Sequence, residues 1–159
     1  MADPTLLPIL KDIAAHLTAL QETLQAEYQA LSDNDRPGIE QAARDKSRLT
    51  ASLDDLEQER VTLLREAGLD LDRSGVMAYL SRQQNSTTDP IARIWQDIEQ
   101  LSRDCEQQNR INGIIIEHNR KRTETALNIL QGQTGNTELY SASGSTVSAS
   151  NRQSIATKA

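Results

Sequence analysis

The stretch that decides the fold is Thr5–Leu31, TLLPILKDIAAHLTALQETLQAEYQAL. Leu6, Leu10, Ile13, Leu17, Leu20, Leu24 and Leu31 recur at alternating spacings of four and three, with one gap at Glu27. That period predicts a long amphipathic helix whose seam packs against a partner helix. Tyr28 sits beside the gap and is expected to cover it. Pro8 suits only a first helical turn, so the regular part should begin close to it.

The next segment carries the partner seam. Ser32-Asp33-Asn34-Asp35-Arg36-Pro37-Gly38 is a turn cluster with capping residues and a proline suited to a first turn. A second helix is predicted over about residues 37–67, its seam reading Ile39, Ala42, Lys46, Leu49, Leu53, Leu56, Arg60, Leu63 and Ala67. Helices joined so briefly should lie antiparallel. Lys46 and Arg60 interrupt the seam. Either they lay their stems over it and keep their charges in water, or they make a register or partner contact. Gly68 reads as a left-handed cap, with Leu69 touching Leu64. Ser74 could cap a short helix carrying Val76, Met77, Tyr79 and Leu80, which would cover one end of the bundle.

Asp89-Pro90 signals the start of a third long helix, as N-cap and first helical residue. Its seam begins Ile91, Ile94, Ile98, Leu101 and Cys105, with Trp95 beside it. It continues as Gln108, Asn112, Ile115, Asn119, Arg122, Ala126 and Ile129. The first half is apolar and the second half mixed. From Pro90 to Leu130 such a helix would be roughly 60 Å long at about 1.5 Å per residue, so it should overhang its partners or break. Gly113 followed by Ile114-Ile115-Ile116 is a poor local choice for a helix. Two readings stand: a neighbouring helix approaches closely at Gly113, or the segment is plastic and accepts a foreign helix.

Composition agrees with slim helices. The 159 residues are 36% hydrophobic but 3% aromatic, with no Phe, one Trp and three Tyr. Few large rings and few β-branched runs disfavour a sandwich or an extensive sheet. The fold class expected is all-α: an antiparallel bundle of three long helices plus a short connecting helix over residues 1–130. Residues 131–159 are expected to form a flexible polar tail, too poor in apolar groups to offset the entropy of ordering.

Charge and chemistry narrow the function. The net charge of −6 opposes phosphate backbones, and Arg120-Lys121-Arg122 is a short basic run. The single Cys105 excludes an intramolecular disulfide and suits a reducing compartment. Met1-Ala2-Asp3-Pro4 lacks the basic opening of a secretory signal, and no apolar run approaches bilayer length. A cytoplasmic protein without nucleic-acid partner or membrane insertion is expected. His16 and His118 are far apart and Cys105 lies on an apolar seam, so no catalytic, metal or cofactor set assembles. The expectation is a protein that is not an enzyme and binds no cofactor.

The order of these features resembles the FlgN family of flagellar type III export chaperones. The resemblance rests on the leucine-heptad helix, the Asp/Asn turn, and Lys46, Leu49, Leu53, Leu56, Leu63, Leu64 and Gly68 in the second helix. Further on it takes in Asn109, Asn112-Gly113, Ile115 and Ile116, then Ala126-Leu127, Leu130, Leu139-Tyr140 and Gly144. It covers nearly the whole chain. Departures are the polar tail after Gly144 and the Arg120-Lys121-Arg122 run.

The resemblance implies a chaperone that binds the disordered C-terminal segments of hook-associated proteins 1 and 3, prevents their premature assembly and delivers them to the cytoplasmic domain of the export gate. It implies Ile111, Asn112, Gly113, Ile115, Ile116, Asn119, Leu127 and Leu130 as the substrate-binding residues, and Leu139 and Tyr140 as a gate-docking pair. An alternative is a structural coiled-coil adaptor that self-associates through its seams, as a homo-oligomer or a swapped dimer. The composition of the tail predicts fast amide hydrogen exchange beyond Gly132; strong protection there would contradict it.

Overall fold

The computed structural model describes residues 6–82 and 88–132. Its elements are α1 (Leu6–Asp33), α2 (Arg36–Glu66), α3 (Arg73–Arg82) and α4 (Thr88–Leu130), with no strand among the described residues. The chain divides into two compact units, Met1–His118 and Asn119–Ala159. The first holds three long helical segments and one short helix, as the spacing predicts. The second contains the last turns of α4; its residues from 133 onward, with the tail and the Leu139-Tyr140 pair, lie outside the described residues.

Each helix end follows from its local sequence. Pro8 sits in the first turn of α1, where its missing N–H removes no helical bond. α1 closes on Asn34, whose φ of 54° is left-handed. The Asp35 N–H donates to the Ala30 carbonyl at 2.9 Å, the six-to-one bond of a Schellman ending. α2 ends the same way: Gly68 has φ 67° and the Leu69 N–H donates to the Leu64 carbonyl at 2.9 Å. Leu69 packs on the core that contains Leu64, as expected. The cap of α3 differs from expectation. Asp72 holds it, its Oδ1 accepting from the Ser74 and Gly75 N–H groups at 2.9 and 3.1 Å, while the Ser74 hydroxyl donates to the same oxygen. These donors hold the Asp72 carboxyl below its ordinary range, the Ser74 hydroxyl foremost.

The first unit is built on α1. Leu6, Ile9, Leu10, Ile13 and Leu17 bury their seam with Leu64 of α2, Val76 and Leu80 of α3 and Ile98 of α4. Val76 and Leu80 bring the short helix onto this cluster, with Tyr79 packed beside them. A second cluster joins Leu20, Leu24 and Cys105, with Leu49 and Leu53 against it. Two hydrogen bonds give the direction of α4. The Cys105 thiol donates to the Leu17 carbonyl at 3.6 Å and Asn112 Nδ2 to the Leu24 carbonyl at 2.9 Å. Positions rise together in both, so α1 and α4 are parallel. α2, which meets α1 at Lys46–Glu27 and α4 at Arg60–Trp95, runs against both.

The polar residues of the seams are where expectation fails. Glu27, expected to be a gap covered by Tyr28, is itself buried at 3% exposure. Lys46 Nζ reaches its carboxylate at 2.8 and 3.1 Å, and Asn112 Nδ2 donates to it at 2.8 Å. Gln108 completes the set by donating to Asn112 Oδ1 at 3.0 Å. Arg60 does not snorkel either. It is buried, grips Glu57 through two nitrogens, donates to the Leu71 carbonyl at 2.7 Å and lies 5.4 Å from the Trp95 ring centre. Both cations are contacts between elements because removing each charge from water demands partners.

α4 is unbroken through Gly113. Lys46→Met should lower stability by about 2–4 kcal/mol, since it leaves the buried Glu27 carboxylate without its cation. Replacing Glu27, Lys46 and Asn112 together by leucine should recover most of that loss. Urea titration checks both.

Candidate functional site

The candidate site lies on α4, whose surroundings change at Asn112. Up to that residue the helix repeatedly buries side chains, at Ile98, Cys105 and Asn112. Beyond it no described residue is buried. Large aliphatic groups nevertheless continue. In the first unit Ile111 is 37%, Ile114 71% and Ile116 43% exposed; in the second Leu127 is 50%, Ile129 70% and Leu130 83% exposed. An apolar side chain left in water forfeits about 1.5–3 kcal/mol that full burial would return. Exposed aliphatic groups gathered in one stretch are a feature associated with interaction surfaces.

The predicted residues separate into two groups. Ile111, Ile116, Leu127 and Leu130 are exposed, with Ile115 and Asn119 half-buried. Asn112 does not belong with them and is corrected. At 1% exposure, bonded to Leu24 and Glu27, it is interior. Its neighbour in the motif, Asn109, lies 3.5 Å through Oδ1 from Lys46 Nζ. The Asn-x-x-Asn spacing therefore serves the packing of three helices. At Gly113 a Cβ would meet nothing within 4 Å, so among the described residues no neighbouring helix approaches closely enough to need the glycine.

Sequence reasoning passed over Ile114 and Ile129 as site residues. Ile114 lies off the stripe that continues the core seam, whereas Ile129 lies on it, where the helix is expected to overhang its partners. It also passed over a groove of about 560 Å³ in the first unit, where Leu17, Leu20, Leu24 and Cys105 underlie Ala43, Ser47, Thr50 and Ser102. Small side chains on α2 and α4 leave this space above α1. Its apolar floor is largely withdrawn from water, with Leu20, Leu24 and Cys105 at 8, 1 and 6% exposure. It thus presents less sticky surface than the end of α4. Burial pushes the Cys105 thiol up, with Asp104 adding to the effect. A neutral thiol is a poor nucleophile.

Among the described residues no three side chains that could ligate a metal gather, and no helix is long and apolar enough to cross a membrane. His16 Nδ1 sits 2.8 Å from the Asp12 carbonyl on the surface of α1, the bond of an ordinary helix-surface imidazole. The geometry supplies exposed aliphatic groups on α4 and, within the first unit, a buried polar network at Glu27 and Asn112.

Comparison with known proteins gives the surface a context. The family model described as FlgN protein matches residues 1–148. The "Flagella synthesis protein FlgN" of Salmonella typhimurium is 32% identical over 140 residues, 87% of each chain, and that of Salmonella typhi matches equally. A crystal structure titled as a putative flagella synthesis protein from Pseudomonas aeruginosa superposes with a TM-score of 0.65 at 30% identity. It covers 82% of this chain and 98% of that one.

Gly113→Ala should raise stability by about 0.5–1 kcal/mol, because alanine costs less backbone entropy in a helix and the space is open. Thermal melting followed by circular dichroism checks it, and a fall in midpoint would mean that Gly113 is packed after all.

Proposed function

The chain belongs to the FlgN family, a family of flagella synthesis proteins, and on that premise we propose that it is a cytoplasmic export chaperone for the hook–filament junction. Its cargo in this reading is the disordered C-terminal segment of hook-associated proteins 1 and 3. The segment folds as an amphipathic helix on the exposed aliphatic groups of α4, a helix-in-groove mode of recognition. The observation that carries the reading is the exposure of Leu127, Ile129 and Leu130 at 50, 70 and 83%. Ile111, Ile115 and Ile116 provide a second apolar set in the first unit.

The chemistry suits a temporary escort. A disordered cargo spends part of its binding energy on ordering, which lowers affinity for a given area and eases release. Covering the cargo's apolar face also keeps it from assembling early. Delivery to the cytoplasmic domain of the export gate is assigned to Leu139 and Tyr140, following the family resemblance. Neither residue has a catalytic part in this scheme.

Titration calorimetry of the full chain with the C-terminal segments of the two cargo proteins tests the proposal. Leu127→Asp with Leu130→Asp should weaken binding at least tenfold, since two apolar contacts at about 1.5–3 kcal/mol each are lost. Unchanged binding would remove the site from the end of α4. A tight oligomer that buries these residues would favour the self-associating adaptor instead.

A further inference from the structure

The charge of the chain divides where its units divide. Met1–His118 holds 12 Lys and Arg against 21 Asp and Glu, whereas Asn119–Ala159 holds five against two. An acidic bundle is thus followed by a segment of opposite sign. Three of those five cations are consecutive, Arg120-Lys121-Arg122, in the closing turns of α4.

Helical spacing relates them to the exposed aliphatic groups. Residues three or four apart lie on one face. Arg120, Thr123 and Leu127 therefore form one row, and Arg122, Ala126 and Ile129 another, with Leu130 between the two. Arg120, Thr123 and Leu127 also line one shallow depression of about 470 Å³. Each row begins with a guanidinium and ends with an aliphatic side chain. Arg120 pairs with Glu124 at 3.1 Å, both side chains 59% exposed. A pair this open to water is weak, so a carboxylate of a partner can compete with Glu124 for Arg120.

We propose that the occupant of this face is an acidic amphipathic helix of a partner protein. Its apolar side chains cover Leu127, Ile129 and Leu130, and its carboxylates meet Arg120 and Arg122 one to two turns away. The proposal rests on the docking surface assigned above and adds the chemistry of what docks there. Charge complementarity selects the occupant. Nucleic acid and lipid surfaces spread their negative charge widely, whereas here two guanidinium groups border defined aliphatic rows, a pattern matched by carboxylates flanking one apolar stripe. A phosphate backbone, moreover, leaves the aliphatic rows unused.

The test uses the full chain and two synthetic helix-forming peptides. Both carry the same leucine stripe; one borders it with glutamates, the other with lysines. Fluorescence anisotropy is read at about 50 mM and about 500 mM salt, where the screening length falls from about 14 to about 4 Å. The glutamate peptide should bind at least tenfold more tightly at low salt, and the preference should shrink to about twofold at high salt. Arg120→Glu with Arg122→Glu should invert the preference while leaving helix content unchanged by circular dichroism. Leu127→Asp with Leu130→Asp should weaken both peptides.

Equal affinities, or a preference for the lysine peptide, overturn the acidic requirement. If such binding still depends on Leu127 and Leu130, the docking surface itself stands. A glutamate preference that survives the double charge reversal also overturns the proposal. So does displacement of the glutamate peptide by a single-stranded oligonucleotide at equal concentration. Salt-sensitive dimerisation of the chain in sedimentation, competing with the peptide, would make a second copy the occupant and overturn it likewise. Failure of both cargo segments and both peptides to bind removes the docking surface.

Discussion

The carboxylate of Glu27 is buried among three helices, and their alignment follows from how it is answered. Moving a carboxylate from water into a protein interior costs several kcal/mol even after relaxation. Here both oxygens are satisfied, one by Lys46 of α2 and the other shared between Lys46 and Asn112 of α4. The leucine seams alone do not discriminate between alignments, because sliding a heptad helix by seven residues restores apolar contact. Only the observed slide brings the polar seam residue of each helix to the same place. We read the network as a device for register more than for stability, a use for which polar seam residues are well suited. Arg60 repeats the idea toward α3, joining α2, the Leu71 carbonyl and Trp95.

The seams were legible because period belongs to the sequence itself. Leu6 through Leu24, and the glycine ending at Gly68 with Leu69 behind it, required no knowledge of neighbours. The polar pairings were not legible. Glu27, Lys46 and Asn112 each read as an interruption in their own helix, and nothing within one helix says that three interruptions coincide. Ser74 and Asp72 both have capping side chains, and only the start of α3 at Arg73 decides for Asp72. Asn112 could have faced water or core; its burial was fixed by Leu24 and Glu27, which lie 88 and 85 residues away. The site was half legible for the same reason. Aliphatic residues at 111–116 were visible, but which of them lacked cover depended on the packing of α1 and α2.

Gly113 and the three isoleucines after it bear on how α4 behaves beyond its anchor. Most helical stability in proteins comes from packing, and past Asn112 no described residue is buried. Glycine in a helix costs about 1 kcal/mol relative to alanine, and β-branched residues add smaller penalties. The buried network therefore sits next to a stretch with little local preference for helix and little packing to support it.

The scarcity of aromatic residues limits how strongly the end of α4 can hold a partner. Leu127, Ile129 and Leu130 contribute at most about 1.5–3 kcal/mol each on full burial, whereas association forfeits about 4–15 kcal/mol of translational and rotational freedom. Aliphatic contact at these three positions alone is therefore marginal. Charge bordering the aliphatic rows changes the balance mainly through the encounter rate and orientation. It adds little to the residence time of exposed pairs. In the proposed role, fast capture with short residence suits an escort that collects a disordered segment and surrenders it again. A surface of phenylalanines and tryptophans would hold the same segment longer, and would make its release the slow step.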